Sequence, residues 1–428
     1  MAQSTPHIES RTRPSFPPNP LERLSLADLR TRRSAKWRAF GGGVLPLWVA
    51  EMDVPLAEPI ADALRGIIDR GDTGYPAGRG YAEALAGFAE RRWGWSLDVA
   101  HTSTVPDVMR GITEALKLIS TPGDAVVVAS PVYPPFYQYP AEAGRRVVQT
   151  PLDPAGRLDP AALEETFAEA ARTSTSPVFL LANPHNPTGV VHTRAELEQL
   201  AELADRHGLR VVADEIHAPL VLGSTPDPGD PGVAGADSDG APVRFTPYLS
   251  VDPRGISLMS ASKGWNLAGL KAAVMIAGHD AVADLRRLPD IVAHGPSHVG
   301  ALAHTAAFAH GEPWLDALLD GLRANRTLLG ELLAEHAPQV RWTPPQATYL
   351  AWLDFRATAL AGAEDDVAAA GAEAPIRGPA RALLARAGVA LTAGNPFGDG
   401  GAGHARLNMA TSQEILTEAV TRIGRALS

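Results

Sequence analysis

Cysteine is absent from all 428 residues. Disulfide frameworks, thiolate nucleophiles and cysteine zinc sites are therefore excluded. A reducing compartment suits such a chain. Long apolar runs are missing as well. No stretch approaches the roughly 20 apolar residues of a membrane span, so no spanning helix is expected. Residues Met1–Pro20 contain no apolar signal-peptide core and carry Pro14, Pro17, Pro18 and Pro20. That segment is expected to be an irregular arm, and the cytoplasm is the expected compartment. Positive charge is in deficit: 38 Lys and Arg face 48 Asp and Glu, a net charge of -10. Non-specific binding to nucleic acid or to an anionic membrane is disfavoured. A small anion in a local basic pocket remains compatible.

The length exceeds what one hydrophobic core usually serves, so two domains are expected. Short apolar runs alternate with amphipathic segments through the middle of the chain. Strands are predicted at Ala125–Ala129, Pro177–Ala182, Leu209–Ala213, Gly255–Met259 and Ala272–Ala277. Val44–Ala50 reads as a further strand. Pro59–Asp69 reads as a helix with Ile60, Leu64, Ile67 and Ile68 on one face, and Arg194–His207 as an amphipathic helix. Buried strands separated by helices imply a mostly parallel sheet covered on both sides. After about residue 300 long helical segments dominate, with strand-like Tyr349–Asp354 and a terminal helix from Gln413. The expected organisation is an arm at 1–20, an N-terminal segment at 21–58 joining a small domain, a large domain at 59–300, and the small α/β domain at 301–428. Residues 223–242 and 357–375 read as surface insertions.

Four polar motifs follow four of the predicted strands. They are Pro131-Val-Tyr-Pro-Pro-Phe136, Asn183-Pro-His-Asn-Pro-Thr-Gly189, Asp214-Glu-Ile-His217 and Ser260-Ala-Ser-Lys263. Ligands of open α/β sheets gather at the carboxyl ends of strands, so these motifs should converge on one crevice. Their residue types match the demands of pyridoxal 5'-phosphate. Lys263 supplies the amine for a Schiff base. Asp214 suits the pyridine nitrogen, keeping it protonated so that the ring withdraws electrons. Asn186 suits the ring hydroxyl, and Tyr133 suits stacking on the ring. The hydroxyls of Ser260 and Ser262 and the amides near Val108 and Met109 suit the phosphate.

The order of these motifs resembles the fold-type-I pyridoxal-phosphate enzymes of the class I/II aminotransferase superfamily. Further segments are similar to one branch, the cystathionine β-lyase-like C–S lyases. These are Leu47-Trp-Val-Ala-Glu-Met-Asp53, Gly74-Tyr-Pro76, Asn266-Leu-Ala-Gly-Leu270, Thr348-Tyr-Leu-Ala-Trp-Leu-Asp354 and Arg406-Leu-Asn-Met-Ala410. The resemblance spans roughly residues 35–425. It implies an α/β fold of type I, with a mostly parallel seven-stranded-type sheet and a small α/β domain. It implies that Lys263 also moves the substrate α-proton, and that Arg406 grips the substrate carboxylate. It implies that His217 contacts the cofactor and that Tyr75 reaches the cofactor phosphate of a neighbouring subunit, making the protein a homodimer. Asn186 and Tyr75 would then also border the substrate.

The implied activity is α,β-elimination of an S-substituted cysteine to thiol, pyruvate and ammonia. Transamination with the same residues is the alternative, and a biosynthetic lyase acting on a thiol-conjugated metabolite is another. A purely regulatory role conflicts with an intact set of Lys263, Asp214 and Arg406. Some residues depart from the family pattern. Glu51 stands where aspartate is usual, in a segment that borders the substrate, so substrate choice is expected to differ. Asp107 stands beside the phosphate position, where a carboxylate repels unless it points away. Lys271 stands where relatives carry a phosphate-binding arginine. No metal is expected: His294, His298 and His304 are interrupted by Pro296 and lack an accompanying glutamate.

Overall fold

The computed structural model describes residues 18–223, 243–360 and 378–428. Most of the expected N-terminal arm and of the two expected insertions lies outside the described residues.

The large sheet has seven strands: β1 (Thr102–Val105), β2 (Ala125–Ser130), β3 (Arg146–Pro151), β4 (Val178–Ala182), β5 (Arg210–Asp214), β6 (Ile256–Met259) and β7 (Ala273–Ala277). Their spatial order is β1-β7-β6-β5-β4-β2-β3. Only β7 runs against the others, pairing antiparallel with β6 and with β1. β2 (Ala-Val-Val-Val-Ala-Ser) and β4 (Val-Phe-Leu-Leu-Ala) are buried along their whole length. A strand with both faces buried needs cover on both sides, and two separate cores supply it. One face packs Val126, Val128, Leu180 and Val212 against Ile112 and Leu116. The other packs Val127, Phe179 and Val211 against Leu163, Phe167, Leu197 and Leu200. Burying each such side chain contributes about 1.5–3 kcal/mol.

Local rules account for the helices. α1 (Glu58–Arg70) is stopped by Gly71, whose φ of 63° is a left-handed C-cap. Ile60 and Ile67 are buried, but Ile68 is 76% exposed. The expected apolar face was one residue too wide: Ile68 lies about 100° round the helix from Ile67, on its wet side. α2 is Gly80–Trp93. α3 (Val108–Ile119) is capped by Asp107 and lies close on the sheet, because Gly111 has no side chain to hold it off Leu258. α4 is Pro135–Glu142 and α5 is Pro160–Thr173. α6 (Arg194–Arg206) begins in a capping box of Thr193 and Glu196 and buries Leu197, Leu200, Leu203 and Ala204 on one stripe.

Beyond the sheet come α7 (His298–His310) and α8 (Glu312–His336). A four-stranded antiparallel sheet follows, made of β8 (Arg341–Trp342), β9 (Leu350–Asp354), β10 (Thr392–Ala393) and β11 (His404–Asn408), in the order β10-β11-β9-β8. α9 (Gly378–Ala387) and α10 (Gln413–Leu427) cover it. One continuous core joins this unit to Leu45, Leu47 and Met52 near the N-terminus.

Val44–Ala50 is not a full strand. Only Leu45–Pro46 pairs, in parallel, with Val389–Ala390. The following residues, Trp48 to Asp53, form a strap whose backbone is bonded by side chains instead of by a ladder. Asn266 clamps Met52 by accepting from its N–H (2.8 Å) and donating to its carbonyl (2.9 Å). Asn408 donates to the carbonyls of Val49 (2.8 Å) and Glu51 (2.6 Å). At the far end Asp53 pairs with Lys36 at 2.8 Å, with side chains 2% and 0% exposed, and accepts from the Trp37 indole at 2.9 Å.

That buried pair sets the first prediction. Lys36→Met leaves Asp53 as an uncompensated buried charge and should cost about 3–5 kcal/mol. The double variant Lys36→Met/Asp53→Leu should recover most of it, as read by urea denaturation. A double variant as unstable as the single one contradicts the charge argument.

Candidate active site

The carboxyl ends of β2, β4, β5 and β6 open onto one cavity, as the four motifs led us to expect. Its lining includes Tyr133, Asn186, Asp214, His217, Ser260, Ser262 and Lys263, together with Asp107, Val108 and Met109. Asp214 is the last residue of β5, and Ser260 to Lys263 follow β6 directly. The Tyr133 N–H donates to the Asn186 carbonyl at 3.0 Å, tying the first two motifs together.

Lys263 Nζ donates to the Ala50 carbonyl at 3.1 Å. Burial, and after it the positive charge of Arg406, pulls its pKa down from 10.5 to about 8, against the pull of Asp214. Burial pushes the Asp214 carboxyl up from 3.8 to about 7. Its Oδ1 accepts one backbone N–H, from Ile216 at 3.1 Å. Arg406, on β11, is 4% exposed. Its Nη1 donates to Asn186 Oδ1 at 3.0 Å and its Nη2 reaches Thr392 Oγ1 at 3.4 Å, while Nε is unpartnered. The guanidinium lies over the Phe397 ring, 5.1 Å from its centre. Among the described residues no carboxylate pairs with it. A buried guanidinium without a counter-anion is an open request for one.

His217 is buried at the rim of the same group, with Nδ1 unpartnered. Burial first, then the charges of Lys263 and Arg406, holds it well below 6.5 and therefore neutral. Its ring meets Tyr349 edge-on at 6.3 Å. Because Arg406 uses the Asn186 oxygen, the Asn186 Nδ2 remains as a donor. Tyr133 keeps its phenol proton, its pKa raised mainly by burial.

The residues expected at the phosphate all line the cavity but differ in the donors they leave free. Val108 and Met109 are the first two residues of α3, where helix geometry leaves amides without helical partners. The Ser260 hydroxyl instead donates inward, to the Ala272 carbonyl at 2.8 Å, so its single proton is committed. Asp107 turns its carboxylate away from a repulsive position. Its Oδ1 caps α3 at the Arg110 N–H (2.9 Å), and its Oδ2 pairs with Lys271 at 3.2 Å.

Two further expected residues lie off the lining of this chain's cavity. Tyr75 is 86% exposed and does not line this cavity. Glu51 also stays off the lining: its carboxylate accepts from the Ser34 hydroxyl, and only Ala50 of the strap reaches the cavity. The three histidines disperse. His298 meets Asp72 at 3.2 Å, and His304 is buried against the Tyr81 hydroxyl at 3.0 Å. Among the described residues no cluster of three or more metal-ligating side chains occurs. Nor is any helix there long and apolar enough to cross a membrane. The motifs did not point to Ala50, since an alanine carries no side-chain signal and acts through its carbonyl. Thr392 likewise gives no signal outside its place beside β11.

The two shifted groups of the cofactor-free chain make stability pH-dependent. A carboxyl raised to about 7 binds more protons folded than unfolded between about pH 4 and 7, so it removes stability as pH rises through that window. Asp214→Asn should therefore be more stable than the parent at pH 8, by about 1–4 kcal/mol, with the gap closing toward pH 4. Thermal unfolding at both pH values checks this. A gap of constant size across the range contradicts it.

The comparisons agree with this geometry. Residues 53–423 match the family model for aminotransferase class I and II. A Mycobacterium tuberculosis protein named "Putative cystathionine beta-lyase" is 55% identical over 419 residues, covering 96% of this chain and 98% of its own. The cystathionine beta-lyase of Corynebacterium glutamicum is 34% identical, covering 94% and 99%. A crystal structure from Corynebacterium diphtheriae, described as a "putative plp-dependent beta-cystathionase", is 33% identical with a TM-score of 0.79, covering 96% and 98%. The chain belongs to the class I and II aminotransferase family, on the α/β fold that the family shares.

Proposed function

We propose that the protein is a pyridoxal-phosphate-dependent carbon–sulfur β-lyase, cleaving an S-substituted cysteine to a thiol, pyruvate and ammonia. One observation carries the reading: a buried amine and a buried carboxyl line one cavity, and a buried guanidinium with no carboxylate partner is hydrogen-bonded to Asn186 on its wall. The residues fit the cofactor. Asp214 lacks a cationic hydrogen-bond partner, and a protonated pyridine nitrogen would restore its charge. The Asn186 amide offers a donor for the ring hydroxyl, Tyr133 an aromatic face, and the start of α3 free amides for a phosphate. The relatives named cystathionine beta-lyase support the lyase assignment.

When bound, pyridoxal phosphate supplies an aldehyde for an amine and a ring that withdraws electrons from the substrate α-carbon. The chain's own residues do the rest. Arg406 takes the substrate α-carboxylate and so fixes which bond stands over the ring. Lys263, with a pKa of about 8, is partly neutral near pH 7–8 and takes the α-proton at Nζ. Neutral His217 adds no competing positive charge beside it. A thiolate is a weakly basic leaving group, so no strong dedicated acid is required at the β-carbon. Buried walls keep water from the reacting centre.

The rest of the organisation follows the same reading. Residues 21–58 and 301–428 act as one small domain against the large domain at 59–300. Tyr75, exposed on a single chain, serves the phosphate of a second subunit in a homodimer. The enzyme works in the cytoplasm.

Products decide the reading. The loaded protein given cystathionine or another cysteine S-conjugate should release thiol, pyruvate and ammonia with no 2-oxo acid added. Lys263→Ala should lose both turnover and the cofactor's lysine-bound absorbance band. Accumulation of pyridoxamine phosphate without pyruvate points to transamination instead. Tyr75→Phe should weaken cofactor retention about 3–10-fold without changing the fold, measured by dialysis and absorbance. Unchanged retention removes Tyr75 from the site.

A further inference from the structure

We infer that the Ala50 carbonyl is the resting place of the Lys263 amine whenever that amine is not bonded to the cofactor, and that Tyr349 is the positioning residue that keeps this carbonyl ready. The inference rests on the reading above of Lys263 as the cofactor's lysine.

A carbonyl oxygen has two lone pairs. Both are used at Ala50: Lys263 Nζ donates at 3.1 Å and the Tyr349 hydroxyl at 3.0 Å. Tyr349 is fully buried, and burial raises its pKa far above the ordinary tyrosine value, so the hydroxyl stays a donor. The carbonyl cannot swing away, because the strap is fixed around it. Asn266 clamps Met52 and Asn408 holds the carbonyls of Val49 and Glu51. Thr392 donates to the Trp48 carbonyl and also meets Arg406, so the strap is tied to the carboxylate-binding guanidinium.

A second observation stands apart from these bonds. Two non-glycine residues with positive φ are found among the described residues: Asn266 at 59° and Thr348 at 72°. Such backbone is uncommon away from glycine, least so for asparagine, and persists where the surroundings hold it in place. Asn266 is the clamp on Met52, and Thr348 immediately precedes Tyr349. The two positions thus belong to the strap's partners: Asn266 bonds Met52 directly, and Thr348 lies two residues before β9, next to Tyr349.

The consequence is directional. With Lys263 bonded to the cofactor, Tyr349 alone satisfies Ala50. With Lys263 displaced by a substrate amine, both donors are in place. Removing the hydroxyl leaves a buried acceptor empty in the first state and singly satisfied in the second. Since the first donor matters most to a buried acceptor, the displaced state gains.

The test uses the loaded full-length protein and L-alanine, an amino acid with no β leaving group. The absorbance change on displacement of Lys263 gives an apparent Kd. Tyr349→Phe should tighten that Kd about 2–10-fold, while kcat on an eliminating substrate falls, because the lysine returns to the cofactor less readily. General damage to the site weakens binding, so tightening separates positioning from a merely structural role. Thr348→Gly keeps the hydroxyl but relaxes its aim, and should tighten Kd in the same direction by a smaller factor. Alanine affinities unchanged or weakened in both variants overturn the inference. If the parent protein shows no displacement signal with any amino acid, the cofactor reading itself fails.

Discussion

The site depends on keeping ionisable groups dry without giving them full partners. Lys263 and Asp214 line one cavity, Arg406 is bonded to Asn186 on its wall, and each bears the mark of burial: an amine pulled down to about 8, a carboxyl pushed up to about 7, a guanidinium pulled down to about 10. Each shift has desolvation as its largest cause. Such groups are unfavourable in an isolated fold and become favourable when a zwitterionic substrate and a phosphorylated ring arrive with complementary charges. The surrounding architecture supplies the rigidity that lets them stay. The fully buried strands β2 and β4 fix where the motifs begin, and the cores on both faces of the sheet prevent the strand ends from relaxing around the charges.

Glu215, next to Asp214, shows the contrast between an anchored acid and a waiting one. It is equally buried, yet it accepts from Asn183 Nδ2 at 3.0 Å, from the Tyr248 N–H at 2.8 Å and from the Ser257 hydroxyl. These bonds hold the Asn183 motif to the end of β5. Asp214 accepts one backbone N–H and faces the cavity. Adjacent carboxyls in one turn therefore divide the work. One side chain spends its oxygens on the scaffold, and the other keeps an oxygen for the ligand.

Much of this was legible in the residues. Strand runs such as Ala125–Ala129 have a two-sided apolar pattern that only a covered sheet satisfies, and their polar ends named the crevice. Side-chain chemistry singled out Lys263, Asp214 and Asn186, an amine, a carboxyl and an amide at consecutive strand ends, and the structure brings them to one cavity. The illegible parts share a physical cause. Ala50 works through its backbone, which every residue possesses. Ser260 was expected to offer its hydroxyl to a phosphate, and in the structure that hydroxyl donates to the Ala272 carbonyl. Glu51 was expected in a segment bordering the substrate, and in the structure its carboxylate accepts from the Ser34 hydroxyl. In each case the identity of the side chain was known, but the competing partner came from residues far away in the chain. Val44–Ala50 read as a strand for the same reason: its apolar pattern was real, but beyond the short pairing of Leu45–Pro46 the carbonyls of Trp48, Val49 and Ala50 accept from the side chains of Thr392, Asn408 and Tyr349.

Elimination and transamination diverge only after the α-proton has left. The groups proposed to hold the α-carboxylate and the ring, Arg406 and Asp214, would serve both reactions alike and so do not separate them. Separation lies in what the Lys263 amine does next. For transamination the bound cofactor would have to be reprotonated by this amine; for elimination the amine would need only to hold its proton while a weakly basic thiolate departs. A carbonyl fixed beside Nζ gives the amine somewhere to stay. The strap that presents Ala50 is joined through Thr392 to Arg406, so seating the substrate carboxylate and steadying that carbonyl act on one mechanical unit. On this argument the choice of reaction is influenced by a backbone oxygen held by Tyr349, Asn266 and Asn408, residues that touch the chemistry only through the position they give to Lys263.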